Sequence, residues 1–270
     1  MSVTLTPHFA VTDDEMLVIV SRLGIDALPV VLGLRPRHGT ETDMAKAEEH
    51  ATRMLGQRGL IRDGEVAEKL VPLLRALQRP DRELAMRLVT PDGTARLAVV
   101  RQGSQCISVR RVGNKIVIEA LEGQATEDQA ARALLTQLPA APAADIDPVG
   151  APLDAVSDAL SGTHDAALLS DRIRALGADA RTAMLLGSAL ASRQAFAEVV
   201  YYILDRDEGR ITRPPTAVGV FYTKRGRIVG APSASPTGQL WTTLKAGSDH
   251  AVRQAVGQLV ELAPERWEEL

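Results

Sequence analysis

The chain has 270 residues, which is enough for one large domain or two small ones. Hydrophobic residues make up 45% of it and charged residues 24%, as in ordinary globular proteins, so disorder over most of the chain is excluded. With 31 Lys and Arg against 34 Asp and Glu, the net charge of -3 argues against binding of nucleic acid or anionic membranes through bulk charge. The single cysteine, Cys106, excludes an intramolecular disulfide and a cysteine-based zinc cage.

No targeting or membrane segment is visible in the sequence. The opening residues, MSVTLTPHF, show neither a basic region nor an apolar one of the kind found in signal peptides. The longest apolar runs fall far short of a membrane span. We therefore expect a soluble, cytoplasmic protein.

The first part of the chain is predicted to be helical. Thr12-Asp-Asp-Glu15 is a capping box ahead of an apolar run. Leu28 to Leu34 is expected to form a short strand or an extended crossing. Apolar residues at helical spacing predict a second helix from Met44 to Leu55 and a third from Val66 to Leu77. Pro72 lies inside the third predicted helix, so that helix is expected either to be kinked or to be divided into two short helices.

Between residues 82 and 121 the apolar period changes from helical to alternating, which is typical of strands. The segment is divided into about four strands by turn sequences at Pro91-Asp92-Gly93, Gly103 and Gly113-Asn114. These features predict an antiparallel meander. Thr126 then caps a helix that ends near residue 138.

The second part of the chain repeats this order. Residues 139–152 are rich in Pro and Ala and are interpreted as a linker. Three short helices are predicted over residues 153–192, a second meander over 196–244 and a capped helix over 248–263. We therefore expect an α+β fold in which the half 1–138 and the half 153–270 are related by a pseudo-two-fold, with both meanders in one shared sheet.

The sequence offers no catalytic constellation. Phosphate-binding loops, dinucleotide-binding glycine patterns and serine elbows are absent from the sequence, and no two histidines have metal-ligand spacing. Ser248, Asp249 and His250 are consecutive at a helix start and are interpreted as an N-cap with an acidic first turn. Cys106 is interpreted as a buried structural thiol.

Arginines dominate the first meander. By alternation Arg87, Arg96 and Arg110 are expected to point outward, with Arg101 and Arg111 at strand ends. A solvated sheet face normally carries charge, which is the ordinary explanation. A row of one sign in a net acidic protein would alternatively suit an acidic protein partner.

Aromatic residues are concentrated in the second meander. Six of the eight lie between residues 196 and 241: Phe196, Tyr201, Tyr202, Phe221, Tyr222 and Trp241. Neighbouring residues of a strand point to opposite faces, so this sheet carries aromatic side chains on both sides. One side is core. The other is either a protein-binding face or a layer packed beneath a helical bundle.

Three segments of the second half carry a recognisable pattern: Ala217 to Val229, Trp241 to Ser248 and the helix that ends in Leu262-Ala-Pro264. In these segments the chain resembles the EspG family, cytosolic chaperones of type VII (ESX) secretion in actinobacteria. Further segments are Arg22-Leu-Gly24, Leu28-Pro29, Gly33-Leu-Arg-Pro36, Gly59-Leu60, Gly64-Glu65 and Arg79-Pro80-Asp81. Two departures from the family pattern are Tyr222-Thr-Lys-Arg225 before Gly226-Arg227, and Ala246-Gly247 before the last helix.

The resemblance implies a central twisted antiparallel sheet flanked by two helical bundles, in a single EspG-like domain over residues 1–270. It also implies a function without catalysis or cofactor, in which the protein binds the apolar tip of a PPE protein within a PE–PPE heterodimer and keeps it soluble. The partner-binding residues that it implies are Arg87, Pro91, Asp92, Arg96, Arg101, Tyr222 and Trp241. The protein is expected to be a monomer or a weak homodimer.

Two other classes of function remain open on the sequence. A small-molecule enzyme on an α+β scaffold would need histidines or paired carboxylates that converge in a pocket. A nucleic-acid binder would need stacking aromatics interleaved with the arginines. Here the arginines and the aromatics lie in different halves of the chain, so this second alternative ranks last.

Overall fold

The N-terminal half combines helices with the first meander in the computed structural model, which describes residues 8–205 and 209–269. It begins with strand β1 (His8–Thr12) and helix α1 (Asp13–Arg22), then α2 (Glu41–Gln57), β2 (Ile61–Arg62), β3 (Glu65–Val66) and α3 (Val71–Gln78). The meander consists of β4 (Arg82–Thr90), β5 (Gly93–Gln102), β6 (Gln105–Val112) and β7 (Lys115–Ala120). Helix α4 (Glu127–Leu135) closes this half.

The C-terminal half has the same order of elements. It begins with strand β8 (Val149–Pro152) and the helices α5 (Leu153–Leu160), α6 (Ala166–Ala175) and α7 (Ala180–Ala191). Its strands are β9 (Arg193–Asp205), the short β10 (Arg210–Thr212), β11 (Val218–Thr223), β12 (Gly226–Ala234) and β13 (Leu240–Ala246). Helix α8 (Asp249–Glu261) closes the half.

Both meanders share one sheet, as predicted. The strand order is β1-β7-β6-β5-β4-β9-β11-β12-β13-β8, with β10 paired to β9. The two halves meet where β4 pairs antiparallel with β9, from Arg82 opposite Ile203 to Val89 opposite Phe196. From this seam toward either edge, the sheet contains the four strands of one meander in chain order, followed by the strand that begins that half, β1 or β8. The expected pseudo-two-fold is therefore present in the topology.

Helix caps that the sequence predicted are present. The Thr12 hydroxyl accepts from the Glu15 N–H at 3.3 Å, and the Glu15 carboxylate accepts from the Thr12 N–H at 2.7 Å. Thr126 and Ser248 cap α4 and α8 in the same way, each accepting one N–H of the first turn. These side chains satisfy N–H groups that a helix start leaves without a partner, and they fix where each helix begins.

Several details differ from the sequence prediction. Leu28 to Leu34 contains a 3-10 turn, Val30–Leu32, ended by Gly33 in the left-handed region, and no strand. Pro72 lies in the first turn of α3, where its missing N–H costs nothing, so the helix is neither kinked nor split. The edge strands β1 and β8 were not predicted, and residues 149–152 of the expected linker form β8 by pairing with β13.

The two faces of the sheet are covered differently. On one face, which we call the closing side, α4 and α8 pack on both meanders and form a core that includes Leu84, Val199 and Val229. On the other face, the bundle side, α1–α3 pack on the N-terminal strands and α5–α7 pack on the C-terminal strands. On the bundle side, the central strands β4 and β9 therefore lie between the two helical bundles. The candidate site is located there.

Within residues 8–205 and 209–269, no helix is both long enough and apolar enough to cross a membrane.

Candidate partner-binding surface

The bundle side of the sheet is partly uncovered at the seam between the halves. Arg87 and Val89 of β4 lie opposite Glu198 and Phe196 of β9, and we call these four residues the central strip. The Val89 side chain is 43% exposed, which is unusual for a valine in a central strand. Arg87 and Glu198 form an ion pair of 3.6 Å across the strip. The strip thus offers apolar groups beside a charge pair that solvent reaches.

An apolar cleft of about 170 Å³ continues from the central strip toward α5. The Phe196 and Phe221 rings contact each other in it, with ring centres 5.0 Å apart, and Val156 and Leu160 of α5 form the opposite wall. Gly219 and Gly230, which pair across β11 and β12, form its floor. A cleft of this size and lining suits one apolar side chain of a partner.

The glycine at the centre of the floor keeps the cleft open. A Cβ atom at Gly219 would lie 3.2 Å from the Phe221 ring and 3.4 Å from the Phe196 ring. Any side chain there would push the rings or fill the space that they leave. The absence of side chains at Gly219 and Gly230 is therefore the reason for the depth of the cleft.

The predicted partner-binding residues divide between the two sides of the sheet. Arg87 lies on the central strip, and Pro91 and Asp92 lie exposed in the turn that follows Val89. Arg96 is on the same side, but it is half-buried and its guanidinium donates to the Val31 carbonyl at 3.1 Å.

The other three predicted residues lie on the closing side, so they do not share one face with Arg87. Tyr222 is buried in the core beneath α4 and α8. Trp241 has the opposite orientation to its neighbour Thr242, which lines the cleft. Arg101 is buried and donates to the backbone carbonyls of Trp267 and Glu269.

The expected row of outward arginines is also divided. Arg111 lies beside Arg96 on the bundle side and donates to the carbonyls of Leu32 and Gly33 at 2.7 and 2.8 Å. It also forms a two-point ion pair with the buried carboxylate of Asp13, at 2.9 and 2.6 Å. Two arginines of the row, Arg96 and Arg111, therefore hold the Val30–Leu32 turn on the sheet.

Sequence reasoning named strands that form the candidate surface, but it did not place all of their residues on one side of the sheet. Of each aromatic pair in β9 and β11, one member lies in the core of the closing side and the other points to the bundle side, and alternation cannot tell which. Phe196 and Phe221 were in the aromatic set, and Glu198 and Gly219 carried no signal by themselves. Their position became visible only when the register placed Arg87, Glu198, Gly219 and Gly230 in one row across four strands.

Burial shifts the pKa of several titratable groups of the sheet, of which Glu83 and Cys106 bear most on possible chemistry. Burial raises the pKa of Glu83, which points to the bundle side of β4, to about 7. Burial raises the pKa of the Cys106 thiol to about 12, so this side chain is protonated at neutral pH and is no nucleophile. Among the residues described, no three His, Cys, Asp or Glu side chains are placed to hold a metal ion.

A preformed apolar cleft beside charged groups, on a rigid sheet, is typical of a protein-binding scaffold.

The model of the EspG family matches residues 12–258, and the chain belongs to this family. It is 28% identical over 267 residues to the ESX-1 secretion-associated protein EspG1 of Mycobacterium tuberculosis, covering 94% of this chain and 87% of that protein. Identity to EspG1 of Mycobacterium marinum is 26% over 260 residues, covering 94% of this chain and 88% of the relative.

A solved structure has the same fold. It is the type VII secretion system chaperone EspG5 of Mycobacterium tuberculosis in complex with a PE25–PPE41 dimer. The TM-score is 0.80 with 19% sequence identity, and the match covers 96% of this chain and 98% of EspG5. The predicted family and the predicted architecture are thereby confirmed.

Proposed function

We propose that this protein is a cytoplasmic chaperone of type VII secretion that binds the PPE subunit of a PE–PPE heterodimer and keeps the dimer soluble. Membership of the EspG family supports this proposal, together with the description of EspG5 as a chaperone in complex with PE25–PPE41. The observation that carries it on this chain is the apolar cleft beside the central strip. An exposed apolar helix end needs such a site to remain out of water.

The proposed binding mode follows from the chemistry of the surface. An apolar side chain from the tip of the PPE subunit enters the cleft between Phe196, Phe221 and α5 and covers the glycine floor. The Arg87–Glu198 pair lies at the rim, where charged groups steer association and fix register more than they add affinity. Pro91 and Asp92 contact the same partner from the adjacent turn. Arg101, Tyr222 and Trp241 take no part in this mode.

The function proposed is binding without catalysis or cofactor. We propose that residues 1–270 act as one domain, as a monomer or a weak homodimer, because the strands of both halves form a single binding surface. The alternative of a small-molecule enzyme gains no support from the cleft, since its lining is apolar apart from Glu198, Ser157 and Thr242.

The experiment is co-expression of this protein with a PE–PPE pair, followed by affinity capture and measurement of the dissociation constant by calorimetry. Val89→Asp, on the central strip, should weaken binding at least tenfold, because it introduces a charge into an apolar contact. Val112→Asp is the matched control, since Val112 ends a strand, points to the closing side and is 44% exposed against 43% for Val89.

Two outcomes would contradict the proposal. The first is the absence of any complex with the PE–PPE pairs of the host. The second is equal loss of affinity in both valine variants when both retain the melting temperature of the unmodified chain.

A further inference from the structure

The chain does not end at α8 but returns across the closing side of the sheet. We call residues 264–269 the C-terminal strap. Trp267 in the strap is 0% exposed and joins the core formed by α4, α8 and the sheet. Its indole N–H donates to the Ala125 carbonyl at 3.0 Å, and its ring centre lies 6.2 Å from that of Tyr201.

Two buried arginines hold the backbone of the strap. Arg82 donates to the carbonyls of Arg266 and Glu269 at 3.1 and 2.8 Å and to the Glu265 carboxylate at 2.5 Å. Arg101 donates to the carbonyls of Trp267 and Glu269. Both guanidinium groups come from neighbouring strands of the N-terminal half, whereas the strap belongs to the C-terminal half.

Two further contacts complete the attachment. The Tyr201 hydroxyl donates to the Glu265 carbonyl at 3.3 Å. The Glu268 carboxylate accepts from the backbone N–H of Glu127 at 2.8 Å, in the first turn of α4. A carboxylate at a helix start is favourable because N–H groups there lack partners within the helix.

Every one of these attachments involves a side chain. In the part of the chain that the structure describes, no backbone-to-backbone hydrogen bond joins residues 264–269 to other elements. The equivalent segment after α4 differs, since Ala144 donates to the Arg227 carbonyl at 3.0 Å and Arg227 donates to Pro142 at 2.7 Å. The ladders of β4 with β5 and β9 are complete without the strap. The strap can therefore leave without breaking the sheet.

The groups beneath the strap determine what kind of ligand the site can bind. Undocking would remove the strap acceptors of Arg82 and Arg101, each of which keeps one acceptor outside the strap, the carbonyls of Asp81 and Gly103, and would open a space shaped by a tryptophan. The guanidinium donors set free and this apolar space match a ligand with backbone carbonyls, carboxylates and an aromatic side chain. The strap sequence Pro-Glu-Arg-Trp-Glu-Glu supplies all three.

We propose that Arg82, Arg101, Tyr201 and the start of α4 form a peptide-binding site for an acidic, tryptophan-bearing segment. Its occupant is the C-terminal strap of the same chain, which undocks as a unit while the sheet stays folded. The site is on the closing side, so it is independent of the partner-binding surface proposed above.

The test adds a labelled peptide with the sequence of residues 262–270 to the full chain and follows fluorescence anisotropy. The Trp267→Ala chain, in which the strap is weakened, should bind the peptide at least tenfold more tightly than the unmodified chain. A peptide in which alanine replaces the tryptophan should bind at least tenfold more weakly. Trp241→Ala is the matched control, because it removes the other tryptophan and leaves the strap docked, so it should behave as the unmodified chain does.

Equal peptide binding by the Trp267→Ala and unmodified chains, or no binding by either, overturns the proposal if the variant melts cooperatively. Hydrogen exchange of the unmodified chain decides the matter if the variant does not fold. We expect the strap amides to exchange at least a hundredfold faster than the amides that pair β4 with β9. Equal protection would overturn the proposal by making the strap an integral part of the fold. A dimer whose fraction grows with concentration would also overturn it, because the strap would then occupy the site of a second copy.

Discussion

The two halves of the sheet repeat one order of elements and yet present different surfaces on the bundle side. In the N-terminal half, arginines of β5 and β6 hold the Val30–Leu32 turn on the sheet, so part of this side is covered, and Arg87 and Val89 of β4 stay exposed at the seam. In the C-terminal half, the corresponding side shows two glycines and two phenylalanines around an open cleft. The comparison indicates that the fold supplies a symmetric frame and that the binding site arises where one half lacks a cover.

The first way to test this comparison is to remove the attachment of the N-terminal cover. Arg111→Ala leaves the Asp13 carboxylate, which is 1% exposed, with Arg37 as its remaining ion-pair partner and frees the carbonyls of Leu32 and Gly33. Loss of one member of a buried ion pair costs about 3 to 5 kcal/mol, so we expect a fall in the free energy of unfolding near 3 kcal/mol. Denaturant unfolding measures it.

Arg110→Ala is the control for this prediction, because Arg110 is the adjacent, exposed residue on the other side of β6. It should change stability by less than about 0.5 kcal/mol. Equal effects of the two substitutions would show that Arg111 does not hold the cover.

The seam between the halves gives a pH-dependent prediction through Glu83. The pKa of Glu83 is about 7 in the folded protein against 4.5 for the free group, so the folded state binds more protons between these values. The contribution of Glu83 to the free energy of unfolding is therefore fully present below pH 4.5 and is lost as the pH rises through 7. Glu83→Gln, which mimics the protonated form, should stabilise the protein at pH 8 by up to about 3 kcal/mol and by little at pH 5.

Unfolding curves of both chains from pH 5 to pH 8 check this expectation. Glu198→Gln, which removes an exposed carboxylate on the neighbouring strand, should leave the pH dependence unchanged. A constant difference between the Glu83→Gln and unmodified chains across this range would rule out the titration of Glu83.

Filling the C-terminal cleft should make the two halves alike. Gly219→Val places side-chain atoms between the Phe196 and Phe221 rings and closes the space for a partner. We expect the affinity for a PE–PPE pair to fall by about 2 kcal/mol, the size of the loss of a buried apolar anchor. Calorimetry measures the affinity, and Gly56→Val, where a Cβ atom meets only open space, is the control. If the Gly219→Val variant binds a PE–PPE pair with unchanged affinity, the cleft does not take part in binding.

The smallest effect is expected at the rim. Arg87→Ala removes an ion pair of 3.6 Å whose two side chains are about half exposed, so stability should change by less than 1 kcal/mol. The association rate with a PE–PPE pair should change severalfold and depend differently on salt, while the dissociation rate stays nearly constant. Stopped-flow measurement at two ionic strengths separates the rates. A change confined to dissociation would indicate that Arg87 is buried in the complex.

The parts of the fold that depend on neighbouring residues were predictable. The capping box at Thr12, the caps at Thr126 and Ser248 and the turns of the first meander are local interactions, and all are present. Strands β1 and β8 were missed because each is short and is defined by pairing with a strand far along the chain. Pro72 was ambiguous because its effect depends on which residue begins α3.

The candidate site was predictable only in part, since its position depends on which face of the sheet stays open. Arg101 reads as a surface residue because its acceptors, Trp267 and Glu269, lie more than 160 residues away. Tyr222 and Phe221 are equivalent in an alternating pattern, and only the placement of α8 makes one of them core. Sidedness is a property of the packed helices, and it is not encoded in the strands themselves.

The central pairing of β4 with β9 has a consequence for synthesis of the chain on the ribosome. The first meander is complete well before β9 emerges, because about a hundred residues separate β4 from the end of β9. At roughly 5 to 20 residues per second, β4 remains an unpaired edge for on the order of ten seconds. Arg82, Glu83 and Arg87 place charges along that edge, and charged side chains discourage pairing with strands of other chains. We therefore expect Arg82, Glu83 and Arg87 to reduce pairing of the nascent β4 edge with strands of other chains until β9 arrives.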